Sequence, residues 1–229
     1  MNAQAVSAAP VADVNVNRFV AKVYLLMTLG LLITGVVSTA VAQNEIFLVR
    51  LVTSPWLAFG LFIVQIAIVG FLSASVMRLK AGLAFILFLL YAALTGVTLS
   101  SLFLYYGAKD ISSVFWMTAG TFFLASVVGL ITKKDLSSSG MVLVMLLMGW
   151  SFMYFMSWFF PYSSFNWAMN FIGIALFVGL AAWDANRIKT IGAQAGSHPA
   201  KGGLIVVGAL ALYLDFINLF LLMLRASRR

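Results

Sequence analysis

The sequence predicts an all-α polytopic membrane protein with seven transmembrane helices, and three observations predict it. Hydrophobic residues make up 63% of the 229 residues and charged residues only 9%, with a mean hydropathy of +1.08. Soluble domains carry roughly 25% charge, so this chain lacks the polar groups needed to cover a water-facing surface. That excludes a soluble globular enzyme, and the scarcity of charge equally excludes a disordered chain. Second, the few charges punctuate uncharged runs of about 20 residues, the length a helix needs to cross roughly 30 Å of hydrocarbon. Third, those runs are too long and too uniformly apolar to be barrel strands.

The spans follow in order. Val23–Ala42 is the first uncharged stretch, after Arg18 and Lys22. The second lies between Arg50 and Arg78, centred on Trp56–Val76. The third runs from Ala81 to about Tyr106, before Lys109 and Asp110. The fourth is Ile111–Thr132, closed by Lys133, Lys134 and Asp135. Leu136 to Trp183 carries no charge and is too long for one span. Pro161-Tyr162-Ser163-Ser164 divides it, since proline and serine mark a turn. The fifth helix is then placed at Gly140–Phe160 and the sixth at Asn166–Trp183. Gly202–Leu224 forms the seventh, interrupted only by Asp215. Residues 1–17 read as a flexible N-terminal tail, leaving 18–229 as a single seven-helix domain. The tail has no basic start followed by a short apolar core, so no cleaved signal peptide is expected.

Lysine and arginine in the loops set the expected orientation. With the N-terminus cytoplasmic, the inner side holds Arg18, Lys22, Arg78, Lys80, Lys133, Lys134, Arg187, Lys189 and Lys201, and the outer loops hold only Arg50 and Lys109. The exception is Arg225, Arg228 and Arg229, which sit outside if the seventh helix crosses and inside if it re-enters. Basic residues flank helices instead of forming a patch. The net charge of +8 therefore points to anionic lipid headgroups, and nucleic acid is not an expected partner.

Charged groups inside a membrane are expensive and mark function by default. Asp215 lies near the middle of its helix, where insertion costs an aspartate about 2.5–3.5 kcal/mol, so it needs a partner or a proton. Asn218, three residues on, shares its face and is placed to hydrogen-bond it. Asp184 ends the long uncharged run, with Arg187 at i+3 as its candidate partner; marking a helix end is the alternative role. Two carboxylates brought within hydrogen-bonding distance cannot both ionise cheaply, and one shared proton makes a pH-dependent gate. Arg78 is placed either to reach back into a cytoplasmic cavity or to mark topology. The hydroxyls of Tyr91, Thr95, Thr98, Ser100 and Ser101 on the third helix suit packing between helices. Without cysteine there is no thiol nucleophile or thiolate metal site, and His198 alone makes no histidine zinc site. No cofactor is expected.

Three strings carry a family resemblance. Ala211-Leu212-Tyr213-Leu214-Asp215-Phe216-Ile217-Asn218-Leu219-Phe220 resembles the last-helix signature of the transmembrane Bax inhibitor motif (Bax inhibitor-1) family, in its bacterial YccA-like branch. Phe88 to Ser101 resembles the family's third-helix block, and Ala182 to Lys189 the end of its sixth helix. The resemblance covers nearly everything after residue 18. It implies six helices in two layers around a central C-terminal helix, and a bacterial inner (plasma) membrane location. It further implies a pH-sensitive calcium leak controlled by a diaspartyl pair. Asp184 and Asp215 match that pair, and Arg78 matches a basic latch beside it. Many members carry a glutamate in the second helix where this chain has Gln65, upstream of Leu72-Ser73-Ala74, so one cation ligand is missing. Calcium prefers six to eight oxygens, and two aspartates would hold it weakly and transiently, as permeation requires.

Two other roles compete. Bacterial relatives in the resemblance are linked to the membrane-bound AAA protease FtsH as substrates or modulators, and a tail such as residues 1–17 suits recognition by it. An intramembrane aspartyl protease would also use two carboxylates. Such enzymes resemble one another in a Gly-x-Gly-Asp string, however, and Leu212 and Leu214 stand at those glycines here. An enzyme is not expected.

Overall fold

Polar pairs and prolines cut the apolar runs into eight α-helices in a computed structural model, which describes residues 9–75, 79–133, 136–156, 163–195 and 201–227. These are α1 (Ala9–Ala42), α2 (Glu45–Thr53), α3 (Pro55–Ala74), α4 (Ala81–Leu99), α5 (Ala108–Ile131), α6 (Ser137–Met156), α7 (Ser163–Ala195) and α8 (Lys201–Ser227). Seven of them, all but α2, contain a stretch long and apolar enough to cross a membrane.

The helix ends follow local chemistry. Pro55 starts α3 at a position whose amide has no helical partner to lose. The Asn44 side chain caps α2 by accepting from the Phe47 amide at 3.0 Å. At the far end of α4 the chain tightens into a 3₁₀ turn over Ser100–Leu104. There Ser100 and Ser101 donate to the carbonyls of Val97 and Thr98 at 2.7 and 2.8 Å. Thr95 and Thr98 likewise donate to Tyr91 and Leu94, four residues back. These hydroxyls thus bond their own backbone, and Thr98 and Thr95 also link α4 to Gln65 of α3 and Tyr213 of α8.

α8 is the centre of the bundle. It packs on α1, α4, α5 and α7, while α3 packs on α4 and α6 on α7. One layer is thus α3, α4 and α1, and the other α5, α7 and α6, with α8 between them. Burial follows the same order: 56% of the α8 span is buried inside the protein, against 11% for α3 and 6% for α6. The outer helices leave Trp56, Phe62, Met141 and Phe152 exposed, as a lipid-facing surface should be.

Three boundaries differ from the sequence expectation. α1 begins at Ala9, inside the segment read as a tail. α2 is a short helix that charge punctuation missed, because Glu45 and Arg50 interrupt its apolar residues; it buries Leu48 and Leu51. Most consequentially, α7 runs on to Ala195, so Asp184 does not mark a helix end but lies eleven residues before it. The helix continues because its polar side chains find partners on α5, as described below.

The 27 residues of α8 form one unbroken helix, about 40 Å long at 1.5 Å per residue and so long enough to cross a bilayer in one pass. At its end the Arg225 guanidinium lies 5.1 Å from the Tyr154 ring, near the end of α6.

Candidate functional site: a buried carboxyl pair

α7 and α8 pack against each other, and both carry small buried residues, Ala181 and Ala185 on α7 and Ala209 on α8. This packing carries Asp184 and Asp215 to the same level. They are 8% and 7% exposed, and their side chains hydrogen-bond to each other. A carboxylate only accepts, so a bond between two of them requires a proton on one. The outer oxygen of Asp215, Oδ2, has no partner.

Two hydroxyls complete the surroundings. Tyr24 of α1 lies beside Ser126 of α5 and within electrostatic reach of both carboxyls. Neither hydroxyl closes a hydrogen bond of good geometry. The site therefore gathers polar groups from four helices, with Tyr24 Oη, Ser126 Oγ and Asp215 Oδ2 all buried and unsatisfied.

α5 holds α7 in register. A methyl group on Gly129 would collide with the Ala182 carbonyl, so glycine is what allows the two backbones to touch. One turn on, Asn186 donates to the carbonyls of Gly129 and Thr132 at 3.1 and 3.2 Å and accepts from the Leu136 amide at 3.3 Å. Lys189 donates to the Leu130 carbonyl at 2.8 Å. The unpaired carbonyls at the C-terminal end of α5 are thereby capped by side chains of α7. These bonds seat the helix that carries Asp184.

A cavity of about 380 Å³ leads to the pair. It runs along α7 and α8 from Ile191 and Leu204 to Asp184 and Leu214, with Ser73 of α3 on one wall. Ten residues of α8 span it, roughly 15 Å. Asp184 and Arg187 line it, and Asp215 lies behind its wall. Beyond the pair the route is closed by rings. Phe216 packs edge-on against Phe115 and Phe122, at 5.4 and 5.6 Å between centroids, and Phe220 lies 6.3 Å from Phe115. Toward α4, Tyr213 meets Phe88 and Tyr91 at 5.7 and 5.8 Å. The Tyr213 hydroxyl is tied to Thr34 at 2.6 Å, and Thr34 in turn donates to the Ala92 carbonyl.

Of the residues singled out from sequence, Asp184 and Asp215 come together. Arg187 stands exposed at the cavity with its guanidinium 5.4 Å from the Trp183 ring centroid, within electrostatic reach of Asp184. Asn218 does not bond Asp215: its amide donates to the Leu214 carbonyl at 2.8 Å, the nearest acceptor in an apolar setting. Gln65 is turned toward α4, donating to Thr98 Oγ1 at 2.7 Å and to the Leu94 carbonyl at 3.3 Å. It lines a separate cavity with Ser101 and Tyr105. Arg78 and His198 lie outside the described residues. Sequence reasoning missed Tyr24, Ser126 and the anchoring role of Asn186. The signal for Tyr24 and Ser126 is that each is a polar residue inside an apolar run, whereas Asn186 sits among charged residues and gives none.

A profile of the family described as "Inhibitor of apoptosis-promoting Bax1" matches residues 16–227. The chain belongs to the Bax inhibitor-1 family. It is 42% identical over 209 residues to the inner membrane protein YbhL of Escherichia coli K12, covering 90% of this chain and 89% of that one. An uncharacterized protein of Borreliella burgdorferi is 38% identical over 210 residues, covering 91% and 90%. One from Deinococcus radiodurans is 37% identical over 209 residues, covering 91% and 89%. The family match includes both carboxyls, all seven spans and the cavity, so the site lies wholly within Bax inhibitor-1 sequence.

Proposed function

We propose that this protein is a pH-sensitive cation leak of the inner membrane, with calcium as its cargo, gated by the Asp184–Asp215 pair. The observation that carries the reading is the proton-sharing bond between two buried carboxyls at the inner end of a cavity. With the N-terminus cytoplasmic, as the loop charges favour, that cavity faces the cytoplasm. The YbhL relative is named an inner membrane protein, which supports the same membrane here.

The bonded pair belongs to a closed state. One proton holds α7 and α8 together at this level, and the rings around Phe216 and Tyr213 seal the far side. Loss of that proton leaves two negative charges side by side in a low-dielectric setting, where repulsion is strong. Separation of the carboxyls then parts the helices and exposes oxygens to a cation. Among the described residues no group of three or more acidic, histidine or cysteine side chains gathers to hold a metal, which suits weak binding in transit. In this reading the pair moves a proton and cleaves no bond, so the protein is not an enzyme.

The test is calcium flux into liposomes holding the purified protein, from pH 5 to 8, for wild type, Asp184→Asn and Asp215→Asn. Wild-type flux should rise as pH rises through loss of the shared proton. An amide at either position keeps a hydrogen bond but removes the shared proton, so the pH dependence should flatten. Flux no greater than in protein-free liposomes, or an unchanged pH profile in both variants, overturns the reading.

A further inference from the structure

A further cavity lies between α1, α4 and α8, near the starts of α4 and α8. It is an open groove of about 460 Å³, lined by Leu25, Leu26, Leu29, Phe85, Ile205 and Val206, with Lys22 at its edge. Leu25, Leu29 and Phe85 are 69%, 38% and 38% exposed, while Val206 on the central helix forms a buried floor. The groove thus reaches α8 at Ile205, ten residues before Asp215.

The polar end of this groove is basic. A methyl group on Gly202 would overlap that of Ala81, so the first turns of α4 and α8 are in contact. Lys80 immediately precedes Ala81, and Lys201 immediately precedes Gly202. Lys22 lines the same groove, so lysines from three segments lie in its lining or one residue from it. The other lipid-side cavity, containing Gln65, has no basic residue in its lining. Lys22 and Lys80 are both exposed, and no acidic residue lines the groove.

We propose that this groove is a binding site for an anionic phospholipid, its phosphate held by Lys22, Lys80 and Lys201 and an acyl chain laid along Leu25, Leu29, Phe85 and Ile205. Basic pockets between transmembrane helices are a recurrent way of holding acidic headgroups, each lysine contributing about 1 kcal/mol. The long apolar floor distinguishes a lipid from free phosphate as the occupant. Because the groove reaches the central helix, the bound lipid braces α8 against α1 and α4.

The test uses the purified full chain, with native mass spectrometry counting retained lipid and thermal unfolding measuring its effect. Phosphatidylglycerol should bind in preference to phosphatidylcholine and raise the melting temperature. Lys22→Gln with Lys80→Gln should weaken phosphatidylglycerol binding about 25-fold, roughly five-fold per lysine, and leave phosphatidylcholine binding unchanged. Ile205→Trp, which fills the groove without touching a charge, should lower retention of the lipid. Melting curves in phosphatidylcholine check that each variant folds. Equal retention of the two lipids, or wild-type phosphatidylglycerol affinity in the lysine variant, overturns the proposal. So does full displacement of the lipid by inorganic phosphate, which would mean an anion site without an acyl groove.

Discussion

Replacing Phe216 tests whether the aromatic cluster is the barrier that a cation must pass. Its ring is 3% exposed and packs edge-on against Phe115 and Phe122. Phe216→Ala leaves a cavity beside Asp215 and should cost about 3–5 kcal/mol of stability, the range for buried phenylalanine truncations. Phe216→Leu keeps most of the volume but gives up both edge-to-face contacts. Each such pair is worth about 0.5–1.5 kcal/mol, so this variant should lose about 1–3 kcal/mol and fold where the alanine variant fails. Neither substitution alters the carboxyl pair, so neither should remove the response to pH. What should change is flux at pH 5 to 6, where the wild type is closed. Every 1.4 kcal/mol or so removed from the barrier is a ten-fold rise in rate, and Phe216→Leu should raise closed-state calcium flux by about that factor. The assay pairs liposome flux with denaturant unfolding of the same preparation. If stability falls as expected while flux at acid pH stays at the wild-type level, the rings are packing and not a gate.

Two more predictions follow from the geometry. Asn186→Ala removes two hydrogen bonds between α7 and the end of α5 and one to the Leu136 amide just before α6. At about 0.6 kcal/mol per bond between membrane helices it should destabilise the protein by about 2 kcal/mol, measured by unfolding in detergent. The chain has no cysteine, so single cysteines report topology cleanly. Ser227→Cys and Lys201→Cys should react with an impermeant maleimide from opposite sides of sealed vesicles, and labelling from one side would contradict a full crossing by α8.

Composition and charge placement alone determined that this is a seven-helix membrane protein, because the cost of burying charge in hydrocarbon forces charges to the ends of spans. The same cost singled out Asp184 and Asp215: a carboxyl within an apolar run needs a reason to be there, and the reason is visible from a single residue. What no single run reveals is which helix faces protein and which faces lipid. In a bilayer both environments are apolar, so α8, buried in the middle, and α6, bathed in lipid, have much the same composition. Tertiary packing decided that α8 is central, that Asp184 lies within α7 instead of at its end, and that the two carboxyls share a hydrogen bond. It also decided where each polar side chain points. Asn218 had the Asp215 carboxylate as its expected partner yet turned to a backbone carbonyl, and Gln65 turned to a backbone carbonyl and the Thr98 hydroxyl. Without water nearby an amide takes the nearest acceptor, and which acceptor is nearest depends on neighbouring helices that the local sequence does not specify. The groove lined by Lys22 shows the same limit, since Lys22, Ala81 and Gly202 are far apart in the chain and only packing brings them to one cavity.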